Sequence, residues 1–172
     1  MYDRILVPTD GSDAADRAFE RALDLAATYD ADLYLLYVVD VSSLAGEFDA
    51  ITVVEQLERS GRETVRRLRK RAEETGVENV KTTVVEGTPH RAILDYADAE
   101  EIDLVVMGTH GRTGLDRYLL GSVTERVVRT ADVPVLTVRG SGESDADDES
   151  DADSESDADS KSDADGESNA DA

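Results

Sequence analysis

Five short apolar runs alternate along the chain with four longer segments in which apolar residues recur every three or four positions. The short runs have the length and branched composition of buried strands, and the longer periodicity is typical of helices with one buried face. The runs occupy residues 3–7, 32–39, 80–85, 104–107 and 133–138, and the helical segments occupy residues 13–29, 51–75, 88–100 and 122–130. This alternation predicts an α/β fold, a doubly wound, open, parallel five-stranded sheet that is Rossmann-like, with helices on both faces.

Local signals predict where three of the helices begin or end. Ser12 or Asp13 can cap the first helix, because either side chain can accept a hydrogen bond from an N–H group of the first turn. Thr88 followed by Pro89 is typical of a helix start, since proline needs no donor there. Gly76 predicts the end of the second helix.

A glycine-rich loop joins the fourth predicted strand to the last predicted helix. Gly108 is expected to break the strand, Gly111 lies in the polar loop, and Gly121 precedes Ser122 at the helix start. Glycine lets the backbone approach an anion closely and adopt positive φ, and a helix start offers unpaired N–H donors. The loop therefore predicts a phosphate site, although it has neither the lysine of the P-loop nor the glycine spacing of the dinucleotide fingerprint.

Ser122 also has a purely structural interpretation. Together with Glu125 it forms the pattern S-V-T-E, a capping box in which the helix satisfies its own first N–H groups. The two roles are compatible, because the remaining backbone donors of the first turn stay partly free.

Four stretches together resemble the universal stress protein family. The spacing Gly108-x2-Gly111-x9-Gly121-Ser122 is similar to the nucleotide-binding signature of that family. The segments R-I-L-V-P-T-D-G-S at 4–12, L-Y-V-V-D at 36–40 and V-P-V-L-T-V at 133–138 are similar to its first, second and last strands, so the resemblance covers about residues 1–139. It implies the strand order 3-2-1-4-5, in which the loops after strands 1 and 4 meet at the switch point where ligands bind.

The resemblance further implies an adenine nucleotide, ATP above all, bound with Mg²⁺. It places Pro8, Thr9 and Val38 beside the base and ribose, and Met107 near the adenine. The positions that it assigns to the phosphates are Gly108, Gly111, Gly121, Ser122, Val123 and Thr124.

Three titratable residues of the two loops are further candidates. Asp10 is assigned to the ribose or to a magnesium-bound water, because a carboxylate repels a triphosphate directly, and its alternative is a turn or helix-cap role. His110 and Arg112 are the cations expected to contact phosphate, with a catalytic role for His110 as the alternative. No metal site built from side chains alone is expected, and Mg²⁺ would bind through ATP near Asp10.

The function expected from this site is that of a non-enzymatic, ATP-binding stress-response protein, whose occupancy reports the energy state to a regulatory protein partner. The first alternative is a slow ATPase or an adenylyl-transferring enzyme on the same fold. An S-G-G-x-D-S type of loop would favour adenylation, and residues 8–12 read P-T-D-G-S instead. A second alternative is a dimeric scaffold without nucleotide, against which the intact glycine set argues.

Charge and composition limit the type of organism, the partners and the cellular location to be expected. The chain has 18 basic and 40 acidic residues, a net charge of −22, and its basic residues are mostly arginine. Acidic excess with few lysines is expected for a halophile, since molar salt screens the self-repulsion. Nucleic acid is not expected as a partner, because binding it needs a basic surface. The absence of cysteine, of a signal-like start and of a membrane-length apolar run predicts a cytoplasmic protein without a membrane partner.

The last part of the sequence has a different composition. From residue 141 onward the motif S-D-A-D or S-N-A-D recurs five times, at a spacing of six residues. Residues 143–172 carry −13 of the net charge, which leaves −9 for residues 1–142. Without branched or aromatic residues this segment cannot bury apolar area, so two parts are expected: a nucleotide-binding domain at 1–140 and a disordered acidic tail at 141–172.

The last predicted strand bears on assembly. It runs from Val133 to Val138 and lies at a sheet edge in the implied strand order. An apolar edge strand must be covered, and the resemblance implies that a second copy of the chain covers it. A homodimer through this strand is therefore expected.

Overall fold

The computed structural model describes residues 1–42, 50–111 and 120–140. Strands and helices alternate along the chain as expected. The elements are β1 Arg4–Pro8, α1 Asp13–Tyr29, β2 Asp32–Asp40, α2 Ala50–Glu74, β3 Val80–Gly87, α3 Pro89–Ala99, β4 Leu104–Gly108, α4 Ser122–Thr130 and β5 Val135–Val138. All of them belong to one compact unit, Met1–Gly142.

The five strands form one parallel sheet in the order β3-β2-β1-β4-β5, which confirms the predicted fold class and strand order. In the central pair Leu6 of β1 lies opposite Tyr34 of β2 on one side and opposite Val105 of β4 on the other. After β1 the chain adds β2 and β3 on one side of this strand, and it then adds β4 and β5 on the other side. This reversal creates a crevice at the carboxyl ends of β1 and β4.

Two apolar cores lie on opposite faces of the sheet, because alternate residues of a strand point to opposite sides. Ile5 and Val7 belong to the core that α1 and α2 cover, whereas Leu6 belongs to the core beneath α3 and α4. Phe19 of α1 and Leu68 of α2 are fully buried in the first core. Helices thus cover both faces, as the nearly continuous apolar strands predict.

The helix ends follow the local signals in most respects. Ser12 caps α1, and its Oγ accepts a hydrogen bond of 3.3 Å from the Ala15 N–H group. Thr88 occupies the cap position of α3 with Pro89 next to it, but its side chain makes no capping hydrogen bond. Gly76 has a φ of +92° two residues after the end of α2, in agreement with its predicted role.

Gly108 ends β4, as predicted, although it still belongs to the strand. It is the last residue of the strand and pairs with Val138 of β5. A Cβ atom at this position would lie 2.8 Å from the carbonyl carbon of Ala14, closer than non-bonded atoms approach. The glycine is therefore needed because the first turn of α1 packs directly on the end of β4.

The predicted tail at 141–172 lies outside the described residues. The sheet edge formed by β5 is described, and Leu136 in its middle is 39% exposed. No helix in the described part of the chain combines the length and the apolarity needed to cross a membrane.

Candidate functional site

A cavity of about 420 Å³ lies at the carboxyl ends of the central strands, beside the start of α4. Its walls come from β1, β2 and β4, from the loops that follow β1 and β4, and from the N-terminal parts of α1, α3 and α4. The residues that line it are Pro8, Thr9, Asp10, Ala15, Leu36, Val38, Asp40, Pro89, Ile93, Met107, Gly108, His110, Gly111, Gly121, Ser122, Val123 and Thr124.

The structure brings the candidate site residues together. Twelve of the thirteen line this cavity, and the remaining one, Arg112, lies outside the described residues. Five further residues, which were not predicted from the sequence, also line the cavity: Ala15, Leu36, Asp40, Pro89 and Ile93. The period of two along β2 could have pointed to Leu36 and Asp40, since both lie two positions from Val38. Nothing local could have pointed to the two α3 residues, because they approach the cavity only through the sheet topology.

The loop after β1 is closed by its own hydrogen bonds. The Thr9 N–H group donates to the Leu36 carbonyl oxygen at 2.8 Å, which ties the loop to β2. Thr9 Oγ1 accepts from the Gly11 N–H group, and Asp10 Oδ1 accepts from the Ser12 N–H group at 3.0 Å. Asp10 therefore has the turn geometry that was its alternative role, and its carboxylate lines the cavity as well.

The start of α4 is tied to the end of β4. The Gly121 N–H group donates to the Thr109 carbonyl oxygen at 2.8 Å. The buried Thr124 hydroxyl donates to the Gly108 carbonyl oxygen, also at 2.8 Å. These two bonds hold the first turn of α4 against the strand whose loop borders the cavity.

The predicted capping box is not formed. Gly121, which has no side chain to cap with, occupies the cap position, and Ser122 is the first residue of the helix. Glu125 instead accepts a hydrogen bond from Arg129, at 2.7 Å. The first backbone bond of the helix runs from Glu125 to the Gly121 carbonyl oxygen, so the N–H groups of residues 122–124 have no acceptor inside the helix. Those three donors stand at the cavity wall, at the positive end of the helix dipole.

The expected positive φ angles are not found at the glycines of the motif. Gly108, Gly111 and Gly121 all have φ outside the left-handed region, whereas Gly11 of the other loop has a φ of +76°. At each of these three positions a Cβ atom would crowd a neighbouring residue, so close approach explains the glycines better than a left-handed backbone does.

His110 contributes a polar group that lacks a partner. Its Nδ1 lies 2.9 Å from the Thr109 hydroxyl oxygen, and its Nε2 is buried without a hydrogen-bond partner among the described residues. A buried polar atom without a partner costs free energy, which a ligand can recover. His110 lines the cavity, so a ligand oxygen there could pair with this atom.

Two carboxylates line the same cavity as the N–H donors of residues 122–124. Asp10 and Asp40 both line the cavity, and Asp40 Oδ1 accepts from the N–H group and the hydroxyl of Ser42. Among the described residues that line the cavity, no lysine or arginine balances them. Within the described ranges, no three His, Cys, Asp or Glu side chains are grouped so that they could hold a metal ion.

We expect Thr124→Val to destabilise the fold by about 1–3 kcal/mol, because it removes a buried hydrogen bond while keeping the side-chain volume. Urea denaturation gives the free energy of unfolding. Thr124→Ser keeps the hydroxyl and serves as the matched control, which should lose less than Thr124→Val. Equal losses in the two variants would contradict a role for the bond to Gly108.

Fold and cavity together define a class: an α/β protein with a ligand-sized cavity at the switch point of a doubly wound sheet. Comparison with known proteins identifies the family. The family model described as "Universal stress protein family" matches residues 1–139, and the chain belongs to this family.

Individual relatives agree with this assignment. The chain is 44% identical over 142 residues to the universal stress protein MJ0531 of Methanocaldococcus jannaschii. The aligned region covers 81% of this chain and 83% of the relative. The structure of UspA from Lactobacillus plantarum superposes with a TM-score of 0.75 at 34% identity, and covers 80% of this chain and 98% of its own. A universal stress protein crystallised in complex with cAMP superposes with a TM-score of 0.64 at 28% identity, and covers 81% of this chain and 99% of its own.

Proposed function

We propose that this member of the family is an ATP-binding stress-response protein that acts without catalysis. The observation that carries the proposal is the first turn of α4: three N–H groups without an acceptor in the helix border a cavity at the switch point. The complex of a related protein with cAMP supports an adenine nucleotide as the ligand class.

The cavity lining combines apolar side chains with backbone donors, and we infer that this combination orients the nucleotide. Leu36, Val38 and Met107 of the sheet and Ile93 of α3 offer apolar contacts, which suit a base and a ribose ring. The N–H donors of residues 122–124 suit phosphate oxygens. In this orientation Pro8 and Thr9 flank the ribose, and the glycines at 108, 111 and 121 border the phosphates.

Electrostatics require a counterion at this site. The carboxylates of Asp10 and Asp40 and the −9 charge of residues 1–142 all oppose a triphosphate. Charge-assisted hydrogen bonds contribute roughly 1.5–3 kcal/mol each, so several N–H donors together can hold a phosphate group. Mg²⁺ bound by the phosphates would offset the remaining repulsion, with Asp10 accepting from a ribose hydroxyl or a metal-bound water. His110 and Arg112 complete the set of expected phosphate contacts.

The geometry of His110 favours binding over catalysis. A general base is usually oriented by a carboxylate, whereas the ring of His110 pairs with the Thr109 hydroxyl. An ATPase or adenylyl transferase would need a base to activate its nucleophile, and among the described residues no carboxylate is hydrogen-bonded to this histidine. We infer that a protein partner binds differently to the nucleotide-bound and the nucleotide-free form. The acidic composition of the chain suits a salt-rich cytoplasm as the place of this interaction.

Native mass spectrometry of protein purified without added nucleotide tests the proposal directly. We expect retained adenine nucleotide, and calorimetry in molar salt should then give tighter binding of ATP with Mg²⁺ than of GTP. Slow release of ADP over hours, at a rate proportional to the protein concentration, would instead favour the ATPase alternative. Protein that neither retains nor binds an adenine nucleotide would favour the scaffold alternative.

We further propose a homodimer through the edge strand between Val133 and Val138. Leu136 is 39% exposed on β5, at an edge whose unpaired backbone groups can pair with a second copy. Light scattering in molar salt should give twice the chain mass at micromolar protein. Leu136→Lys places a charge on this edge and should give the monomer mass. A monomeric wild-type protein would contradict the proposal.

A further inference from the structure

Gly111 and Asp10 are in close contact at the cavity wall. They come from different loops, one after β4 and one after β1, and both line the cavity. A Cβ atom at position 111 would stand 2.7 Å from Asp10 Oδ2 and 3.8 Å from Asp10 Cγ. The space that a side chain would need at position 111 is therefore occupied by the Asp10 carboxylate.

The carboxylate is not free to turn aside. Its other oxygen, Oδ1, accepts a hydrogen bond of 3.0 Å from the Ser12 N–H group. Ser12 is in turn the cap of α1, since its own hydroxyl accepts from the Ala15 N–H group. Rotation of the Asp10 side chain away from position 111 would break the first of these bonds and loosen the start of the helix.

The backbone of Gly111 does not itself require glycine. Its φ lies outside the left-handed region, and the residue is exposed, so alanine is permitted by both conformation and burial. The other two glycines of the motif differ, because a Cβ atom would meet the Ala14 backbone at position 108 and the Thr109 carbonyl oxygen at position 121. Only at position 111 is the obstacle a side chain of the candidate site.

We propose that Gly111 is a positioning residue that acts through Asp10. Its missing side chain gives the Asp10 carboxylate its place at the cavity wall, where the carboxylate accepts hydrogen bonds from the ligand. The inference rests on the proposed function for its ligand, and it gives the second glycine of the motif a role toward the Asp10 carboxylate in addition to its place beside the phosphates. It predicts that a substitution of Gly111 weakens ligand binding only while the Asp10 carboxylate is present.

A double-mutant cycle tests the coupling. ATP affinity with Mg²⁺ is measured by calorimetry for the wild type, Gly111→Ala, Asp10→Ala and the double variant. Gly111→Ala should weaken binding about tenfold in the presence of Asp10, and less than about twofold once Asp10 is alanine, because the obstructed group is then gone. Equal losses in the two backgrounds would mean that the glycine acts on the ligand directly, and would overturn the inference.

A measurement without ligand separates this inference from the proposed function. Amide hydrogen exchange of Ser12 should be several-fold faster in Gly111→Ala than in the wild type, because displacement of the carboxylate removes the acceptor of this N–H group. Gly140→Ala is the matched control, since its Cβ atom would lie at an ordinary 3.5 Å from Ala14 Cβ, and it should leave Ser12 exchange and ATP affinity unchanged. Unchanged Ser12 exchange in Gly111→Ala overturns the inference even if ATP binds, whereas faster exchange without any ATP binding overturns only the proposed function.

Discussion

Gly121→Val should weaken ATP binding at least about tenfold, a loss of only ~1.4 kcal/mol. A Cβ atom at position 121 would lie 3.2 Å from the Thr109 carbonyl oxygen and 3.5 Å from His110 Cα. The Gly121 N–H group donates to that same oxygen, so the backbone has little room to move without losing the bond. The two further methyl groups of valine would therefore push the start of α4 away from the loop after β4. The N–H donors of residues 122–124 would move with the helix and would no longer converge on one phosphate group.

Calorimetry on the variant gives the affinity, and circular dichroism with thermal melting shows whether the fold is kept. Gly121→Ala adds only the Cβ atom and should cost less than the valine variant. His110→Ala should also cost less, since it removes one ligand contact and leaves the helix in place. Wild-type affinity in a folded Gly121→Val protein would mean that the phosphates do not bind at the start of α4.

Gly108→Val should lower the free energy of unfolding by about 3 kcal/mol, at the upper end of the usual cost of overpacking. The obstacle is backbone: a Cβ atom there would lie 2.8 Å from the carbonyl carbon and 3.0 Å from the carbonyl oxygen of Ala14. No rotamer change relieves a contact with main-chain atoms, so α1 and β4 must separate. Both elements carry a loop of the cavity, and nucleotide binding should weaken together with stability.

Urea denaturation measures the loss in Gly108→Val, and a melting temperature lower by roughly 10 °C is expected for a domain of this size. Gly140→Val is the informative comparison, because position 140 faces the same Ala14 at an ordinary contact distance and should cost clearly less. If the two variants were equally stable, the tight seating of α1 on β4 would not be what requires glycine at position 108.

The order of the elements is determined by the sequence alone, for a simple physical reason. Strand and helix periodicity are local properties, and a chain that alternates buried apolar runs with amphipathic segments has few ways to bury both. Ser12 at the start of α1 was predictable on the same ground, since a cap needs only the residues of its own turn. The strand order needed more than periodicity, and it came from the family resemblance of the motif residues.

The candidate site was predictable as far as a motif names its own residues. The spacing of Gly108, Gly111 and Gly121 pointed to the loop after β4, and the candidate residues that the structure describes line one cavity. Pro89 and Ile93 were not predictable, because the sheet topology, and no local pattern, brings α3 to the cavity. Which of them share a wall is settled by the packing of α3 on the sheet.

The purpose of each glycine was decided only by tertiary structure. The sequence gives no means of knowing that Gly108 faces Ala14, that Gly111 faces Asp10, or that Gly121 takes the cap position in place of Ser122. A capping box and a free helix start have the same local pattern, and the bond from Gly121 to Thr109 selects between them. Local pattern determines which elements form, whereas contacts between distant segments determine which atoms of those elements remain available to a ligand.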